Sequence, residues 1–456
     1  MNDMSTGGEP HSHAQPHERA RDPIDDCVHC GFCLPHCPTY RLWGEEMDSP
    51  RGRIYLMRGL RDGELPTNPI AASVAQHFDR CLGCMACMPA CPSGVRYDAL
   101  IERTRSQLES TRPRSLTDRL FRGLLFALLP YPHRLKALAV LLWLYARSGL
   151  QRLVRGSGLL RRLPPRMAQL DALAPDLRFR DLFAALPAHV AAQGERRARV
   201  GMVSGCVQRV FFPGVNQATV RVLSAEGCDV AVPEGQGCCG ALSMHAGRED
   251  EAKSLARAFV DEFTRQGVDI IAVNAAGCGS HLKSYGTLLA NERVWADKAR
   301  AIAGKVRDVN ELLAAMPPRA PRHPVPVRVA YHDACHLAHA QGIRAQPRAL
   351  LRGIPGLTLV EIPDGDQCCG SAGTYNLTEP QAANAIGERK VDNVLSTRAQ
   401  LLAAANAGCT LQIQKLLRAR GATLPAAHPI EILDAAIRGV PLQCLSGGTG
   451  IIPGKT

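Results

Sequence analysis

From about residue 196 the chain alternates short apolar runs with longer Ala-rich stretches whose apolar residues recur at helical spacing. RARVGMVSGC, CDVAVP and DIIAVNAAGC read as strands, and NQATVRVLSAEG and REDEAKSLARAFVDEFTRQG between them read as helices. That alternation predicts α/β units on a parallel sheet, because parallel neighbours need a crossover between them. The order then recurs. VRVAYHDACH, LTLVEIP and QLLAAANAGC supply a second set of strands, and RDVNELLAA near Asp308 is answered by HPIEILDAA near His428. Cys206 matches Cys335, Cys238-Cys239-Gly240 matches Cys368-Cys369-Gly370, and Cys278 matches Cys409, all offset by roughly 130 residues, which marks a tandem duplication.

Upstream, Pro92 to Gly205 contains no cysteine and reads as helical and rich in Leu and Arg. Within it KALAVLLWLYA, from Lys136 to Ala146, is apolar all round. It is far shorter than the ~20 residues a spanning helix needs. Pro130, Pro132, Arg134 and Lys136 interrupt it on the N-terminal side, which leaves a helix lying on a membrane surface or against a partner. The opening MNDMSTGGEPHSHAQPHERARDPIDD is polar and has no apolar core, so it is read as a disordered lead-in and not as a signal peptide. The expected organisation is multidomain, α and α/β: a lead-in over 1–22, a helical two-cluster ferredoxin domain over 23–105, a basic helical connecting region over 106–195, and Cys-Cys-Gly α/β domains over 196–320 and 325–445.

Cysteine changes the picture most. The chain has 18, of which eight fall in two runs, Cys27-x-x-Cys30-x-x-Cys33-x-x-x-Cys37-Pro38 and Cys81-x-x-Cys84-x-x-Cys87-x-x-x-Cys91-Pro92. The spacing C-x₂-C-x₂-C-x₃-C-P places three thiolates on a tight loop around one cube of iron and sulfide, and the fourth reaches the other cluster. Structural zinc draws its ligands in pairs from separated knuckles, and a reducing compartment disfavours disulfides. By the crossed rule Cys27, Cys30, Cys33 and Cys91 hold one 4Fe–4S cluster, and Cys81, Cys84, Cys87 and Cys37 hold the other. Pro38 and Pro92 are expected to stop helix formation immediately after the last ligand. The intervening SPRGRIYLMRGL has helical spacing, so the domain is expected to be mainly helical.

Each α/β repeat offers four further cysteines, Cys206, Cys238, Cys239 and Cys278 in the first and Cys335, Cys368, Cys369 and Cys409 in the second. They follow predicted strands or sit in loops, so their sulfurs are expected to converge at the C-terminal edge of each sheet as a further cluster or metal site. Buried small hydrophobes or a vicinal disulfide are the alternatives. Cys228 and Cys444 have no counterparts and read as structural; His332, His336 and His339 around Cys335, where Gln208 and Arg209 follow Cys206, read first as ordinary loop histidines, with a role as ligand or proton donor near a reducible acceptor as the alternative.

Charge is localised. The chain carries 54 Lys and Arg against 42 Asp and Glu, a net +12, and residues 101–200 alone hold 19 against 7, which accounts for all of it. No acidic residue occurs between Arg119 and Leu170. A basic, apolar segment of this kind suits anionic lipid or an acidic partner. No nucleic-acid motif accompanies it. No G-x-G-x-x-G follows a predicted strand and no G-x-x-x-x-G-K-[ST] occurs, so no flavin is expected on this chain and its electron donor is expected on another polypeptide.

The blocks CVHCGFCLPHCPTYRLWGEEMDSPRGRIYLM and DRCLGCMACMPACPSGVRYDALIE, followed by two Cys-Cys-Gly domains, resemble the iron–sulfur subunits of glycolate oxidase. The architecture is also similar to heterodisulfide reductase and to the small subunit of anaerobic glycerol-3-phosphate dehydrogenase. The resemblance implies an electron-transfer subunit of an oxidoreductase, not itself the site of substrate oxidation. FAD-binding partner subunits would oxidise glycolate to glyoxylate, and electrons would pass through two 4Fe–4S clusters towards quinone. It implies a cytoplasmic location, peripheral on the inner membrane. The other readings are the same relay in a D-lactate or glycerol-3-phosphate dehydrogenase, or a redox sensor. Heterodisulfide reductases end the pattern in C-x-x-C; Ala275 and Asn406 stand at its first position here, which argues against that activity.

Overall fold

In the computed structural model, residues 22–112 and 114–442 are described, so the lead-in over residues 1–21 and Cys444 lie outside the described residues. Each ferredoxin-type run curls through two left-handed residues, His29 (φ 54°) and Gly31 (φ 86°) in the first, Gly83 (φ 63°) and Met85 (φ 60°) in the second. A non-glycine residue in that region costs about 1–3 kcal/mol, so the surrounding packing must hold His29 and Met85 in place. Helices Pro50–Arg61, Ala72–Asp79 and Tyr97–Thr111 supply that packing through Ile54, Met57, Leu60, Phe78, Leu100 and Ile101. The first run does not end in a helix stop. Pro38 instead opens the helix Pro38–Trp43 with Cys37 as its N-cap, because a proline at the first helical position lacks only an N–H that has no intrahelical partner. After Cys91 the chain turns as expected.

The connecting region is mainly helical as far as Leu182, chiefly in Leu116–Leu128, Pro132–Arg147, Leu150–Gly156 and Pro165–Leu173, and ends in loop and a short strand, His189–Val190. No single helix is long and apolar enough to cross a membrane among the described residues, and Leu116–Leu128 and Pro132–Arg147 meet at a bend of 105°. Leu125, Phe126, Leu135 and Ala139 are buried, while Leu116, Leu120, Leu124, Leu141 and Leu153 remain more than half exposed. A helix apolar all round can bury only one of its sides against a single neighbour, and the other is left in contact with solvent.

Two sheets follow. The first contains β1 (His189–Val190), β2 (Ala198–Val203), β3 (Cys228–Ala231), β4 (Ile270–Val273) and β5 (Val306–Asp308) in the order β1-β3-β2-β4-β5. The second contains β6 (Arg328–His332), β7 (Thr358–Glu361), β8 (Leu401–Ala404) and β9 (Ala426–Ala427) in the order β7-β6-β8-β9. All pairings are parallel except β1 with β3, an antiparallel edge pair that periodicity over two residues could not reveal. The duplication extends to register. Val203 at the end of β2 lies opposite Val273, and His332 at the end of β6 lies opposite Ala404.

The repeats are joined by one core rather than strung apart. Val215, Val222 and Leu223 from the helix Pro213–Ala225 pack with Ile430 and Leu433 from Pro429–Arg438, together with residues of both sheets. At the rim Arg221 donates to both carboxylate oxygens of Asp434, at 2.9 and 2.6 Å. Both closing helices start with a capping box, Asp308 with Glu311 and His428 with Glu431, which satisfies backbone N–H groups that a helix start leaves free. Cys228 lies in β3 inside this core, fully buried, in keeping with a structural role.

Candidate metal centres

Cys27, Cys30, Cys33, Cys87 and Cys91 line one cavity, so the fold brings the last two cysteines of the second run to the first three of the first run. Cys30 is exposed and Cys27, Cys33 and Cys91 are half-buried, and Val28 and Phe32 between them are exposed by 65% and 64%. Cys37, Cys81, Cys84 and Cys87 are all buried. Burial raises the Cys87 thiol, and its neighbours Cys84, Cys81 and Cys37 raise it further, so these four sulfurs also lie together. Crowded, buried thiols cannot all ionise without a compensating positive charge, and iron supplies such a charge to thiolates in clusters of this kind. The donor set therefore suits two iron–sulfur clusters.

One cation is built into the second group. Arg53, 1% exposed, donates from Nε to the His77 carbonyl at 2.5 Å and lies with Nη2 3.5 Å from Asp48 Oδ1. Asp48, wholly buried, also takes His77 Nδ1 and Arg80 Nη1, each at 2.9 Å. Burial alone would raise the Cys81 thiol, yet the guanidiniums of Arg53 and Arg105, with the Gly83 N–H and Tyr97 hydroxyl, hold it below its usual range. Local charge at this position thus favours thiolate.

In the first repeat Cys206 precedes the helix Val207–Phe211, Cys238 and Cys239 precede Gly240 (φ 85°), and Cys278 lies in the first turn of Ala276–Lys283. The Cys206 and Cys238 sulfurs are 3.5 Å apart. In the second, Cys335 precedes the turn His336–Ala340 and Cys409 lies in the first turn of Ala407–Ala419. Gly370 (φ 84°) is required there, since a Cβ would sit 2.2 Å from the Ala383 carbonyl oxygen. Contact with Cys368, then burial, pushes the Cys335 thiol far up. Contact with Cys368 lowers the Cys369 thiol, but contact with Cys409 and complete burial outweigh it and push the thiol up.

The two quartets open on one shared space. All eight cysteines line a single cavity of about 280 Å³ between the repeats. Its roof is the connecting region, through Leu129, Leu135, Leu138, Leu142, Leu170 and Leu173. His245 and His336 also line it. His336 lies with Nδ1 3.5 Å from Cys335 Sγ and Nε2 3.0 Å from His245 Nε2, and His245 Nδ1 is 3.6 Å from Glu102 Oε1. His339 faces away, held by the Asp366 carbonyl and Arg344, each at 2.8 Å. His332 is fully buried with neither ring nitrogen hydrogen-bonded, and its donor atoms and those of Cys369 and Cys409 lie within 4.8 Å of one another. His245, Glu102 and the roofing leucines escaped sequence reasoning because each belongs to an unremarkable local pattern; only packing brings them here.

The two groups of centres touch. Cys84, Cys335 and Cys368 belong to one buried cluster with Leu82, Ala86, Tyr375, Ala382, Ala383 and Ile386. Two cysteine-rich loops packed against a duplicated Cys-Cys-Gly module define an iron–sulfur protein of the electron-transfer class.

The family models agree segment by segment: a 4Fe-4S dicluster domain over residues 23–95, the linker region of the glycolate oxidase iron-sulfur subunit over 117–174, and a cysteine-rich domain over 200–283 and again over 329–414. A probable glycolate oxidase iron-sulfur subunit of Bacillus subtilis is 37% identical over 90% of this chain and 93% of its own. The glycolate oxidase iron-sulfur subunit of Escherichia coli is 35% identical over the same shares, 90% and 93%. Lactate utilization protein A of an Exiguobacterium is 29% identical over 52% of this chain and 98% of its own. The chain belongs to the family of glycolate oxidase iron–sulfur subunits.

Proposed function

We propose that this chain is the electron-relay subunit of a glycolate-oxidising complex, taking single electrons from an FAD-bearing partner and passing them to quinone. When bound, 4Fe–4S clusters would supply one-electron carriage. Cys27, Cys30, Cys33 and Cys91 would hold the outer one, and Cys81, Cys84, Cys87 and Cys37 the inner one. The observation that carries the reading is the continuous order of cysteines from an exposed loop at Cys30, through the buried Cys84, to Cys335 and Cys368 at the shared cavity. Val28 and Phe32 offer an apolar rim on which the flavoprotein can dock. At the other end the leucine-lined cavity suits a quinone ring, and the file Cys335, His336, His245 and Glu102 offers the protons that quinone reduction consumes.

A cytoplasmic chain held on the inner membrane fits the same reading. Leu116, Leu120 and Leu124 recur at four-residue spacing on an exposed helix face in a segment with a surplus of arginine. Flotation with anionic vesicles should carry the chain upward, and less so after Leu120→Ser with Leu124→Ser.

The deciding experiment is reconstitution with the flavoprotein partners and assay of quinone reduction driven by glycolate, D-lactate and glycerol-3-phosphate in parallel. Glycolate-driven turnover is the expected result. Turnover on D-lactate alone would transfer the proposal to a lactate complex, the second reading that the likeness to a lactate utilization protein favours.

A further inference from the structure

The duplicated domains differ at one position where the fold makes them directly comparable. Val203 and His332 both end the central strand of their sheet, both lie opposite the last residue of the neighbouring strand, and both precede a cysteine by three residues. Val203 is what such a position ordinarily takes, a β-branched residue buried to 2% exposure. His332 is buried to 0% with both ring nitrogens unpartnered. Leaving one buried polar group unsatisfied costs about 1–3 kcal/mol, so an imidazole here is a liability unless something binds it.

We propose that a ring nitrogen of His332, together with the sulfurs of Cys369 and Cys409, binds a thiophilic metal, iron or zinc, in a mixed nitrogen–sulfur site of the second cysteine-rich domain. The three donor atoms lie within 4.8 Å of one another. Ligands at about 2.0–2.3 Å from one tetrahedral ion stand about 3.5–3.8 Å apart, so donors lying within 4.8 Å of one another draw in by up to about an ångström to close on the metal. Cys368 touches Cys369 but stands outside this group of three, which leaves the fourth position open. Cys369 and Cys409 also line the shared cavity, which places the metal at its floor with a route of entry. Asn406 Nδ2 lies 3.5 Å from Cys409 Sγ and donates to that sulfur, while the imidazole approaches from β6 and not from the loop. The first domain has Ala275 at the matching loop position and Val203 on the strand; its buried His281, whose Nε2 is also unpartnered, lies beside Gly240 and joins no three-donor group with cysteines among the described residues. The proposal stands independently of which substrate feeds the chain and which acceptor empties it.

The test uses the full-length chain as purified, with iron and zinc counted per chain and X-ray absorption recorded at both metal edges. His332→Val installs the residue the first repeat carries at this register, and His332→Cys keeps a soft donor. The expected result is a nitrogen scatterer at one edge in the native chain, lost in both variants. Metal should leave the second domain in His332→Val and be retained with an all-sulfur shell in His332→Cys. Unchanged ferredoxin-type absorbance would show that the variants have folded. A nitrogen signal at the iron edge assigns iron, and one at the zinc edge assigns zinc. Unchanged metal content and an unchanged nitrogen shell in His332→Val would overturn the site. If His332→Val does not accumulate, the exchange of nitrogen for sulfur in His332→Cys decides alone.

Discussion

Cys84 of the second ferredoxin-type run and Cys368 of the second Cys-Cys-Gly triplet are packed into one buried cluster, and Cys368 is close enough for the charge of Cys84 to raise its thiol further. On the proposed relay, the Cys-Cys-Gly cysteines packed against the inner ferredoxin group are those of the second repeat. Cys368→Ser should leave glycolate-driven reduction of a dye that samples the ferredoxin domain close to normal. Quinone reduction in the same complex should fall at least about tenfold, equivalent to about 1.4 kcal/mol on the barrier. Equal losses in both assays would count against this route.

Crossed ligation makes a separate prediction. Cys91, half-buried like Cys27 and Cys33, shares its cavity with Cys27, Cys30 and Cys33 and with the buried Cys87. Cys91→Ser should thus perturb the exposed centre, and electron paramagnetic resonance of the reduced chain should lose one of two signals while the buried one persists. Loss of the buried signal would reverse the assignment.

Arg53 couples stability to potential. Its replacement by methionine removes a buried partner from Asp48 and a positive charge from beside Cys81. Breaking a buried pair costs about 3–5 kcal/mol, and the remaining contact of Asp48 with Arg80 argues for the lower end. Denaturant unfolding should register that loss, and redox titration should show the buried centre harder to reduce, because an added electron no longer meets the guanidinium charge.

The two Cys-Cys-Gly turns should not tolerate a side chain equally. A Cβ at Gly370 meets a carbonyl oxygen at 2.2 Å, against 3.1 Å at Gly240. Gly370→Ala must displace backbone and should destabilise by more than the ~1 kcal/mol usual for a left-handed position. Gly240→Ala should lie nearer that figure. Melting temperatures of the two variants under identical conditions give the comparison.

Acid should act through His428. Burial pushes this imidazole down to about 3 from its ordinary 6.5, and its Nδ1 accepts the Ile430 N–H that starts the last long helix. The folded form binds a proton less readily than the unfolded chain. The contribution is therefore complete above pH 6.5 and is lost as pH falls from there towards 3. His428→Asn keeps a neutral acceptor, so its urea midpoint should fall less between pH 7 and pH 4.5 than that of the native chain.

Much of this was written locally. Four cysteines at fixed spacing followed by proline determine a cluster-binding loop, because the ligands are covalently near one another and need only a tight turn. Alternating periodicity determined the α/β repeats, and the Cys-Cys-Gly offset determined their duplication. The antiparallel β1 edge and the helix that Pro38 opens were not legible, one too short to carry a period and the other dependent on how the preceding cysteine is held. Tertiary structure alone decided the rest: the merging of both cysteine quartets into one cavity, its roof of leucines from the connecting region, the meeting of His336 with His245, and the stranding of His332 without a partner. Each of these joins residues far apart in sequence across a packed core, and spacing along a chain carries no record of which distant faces fit together.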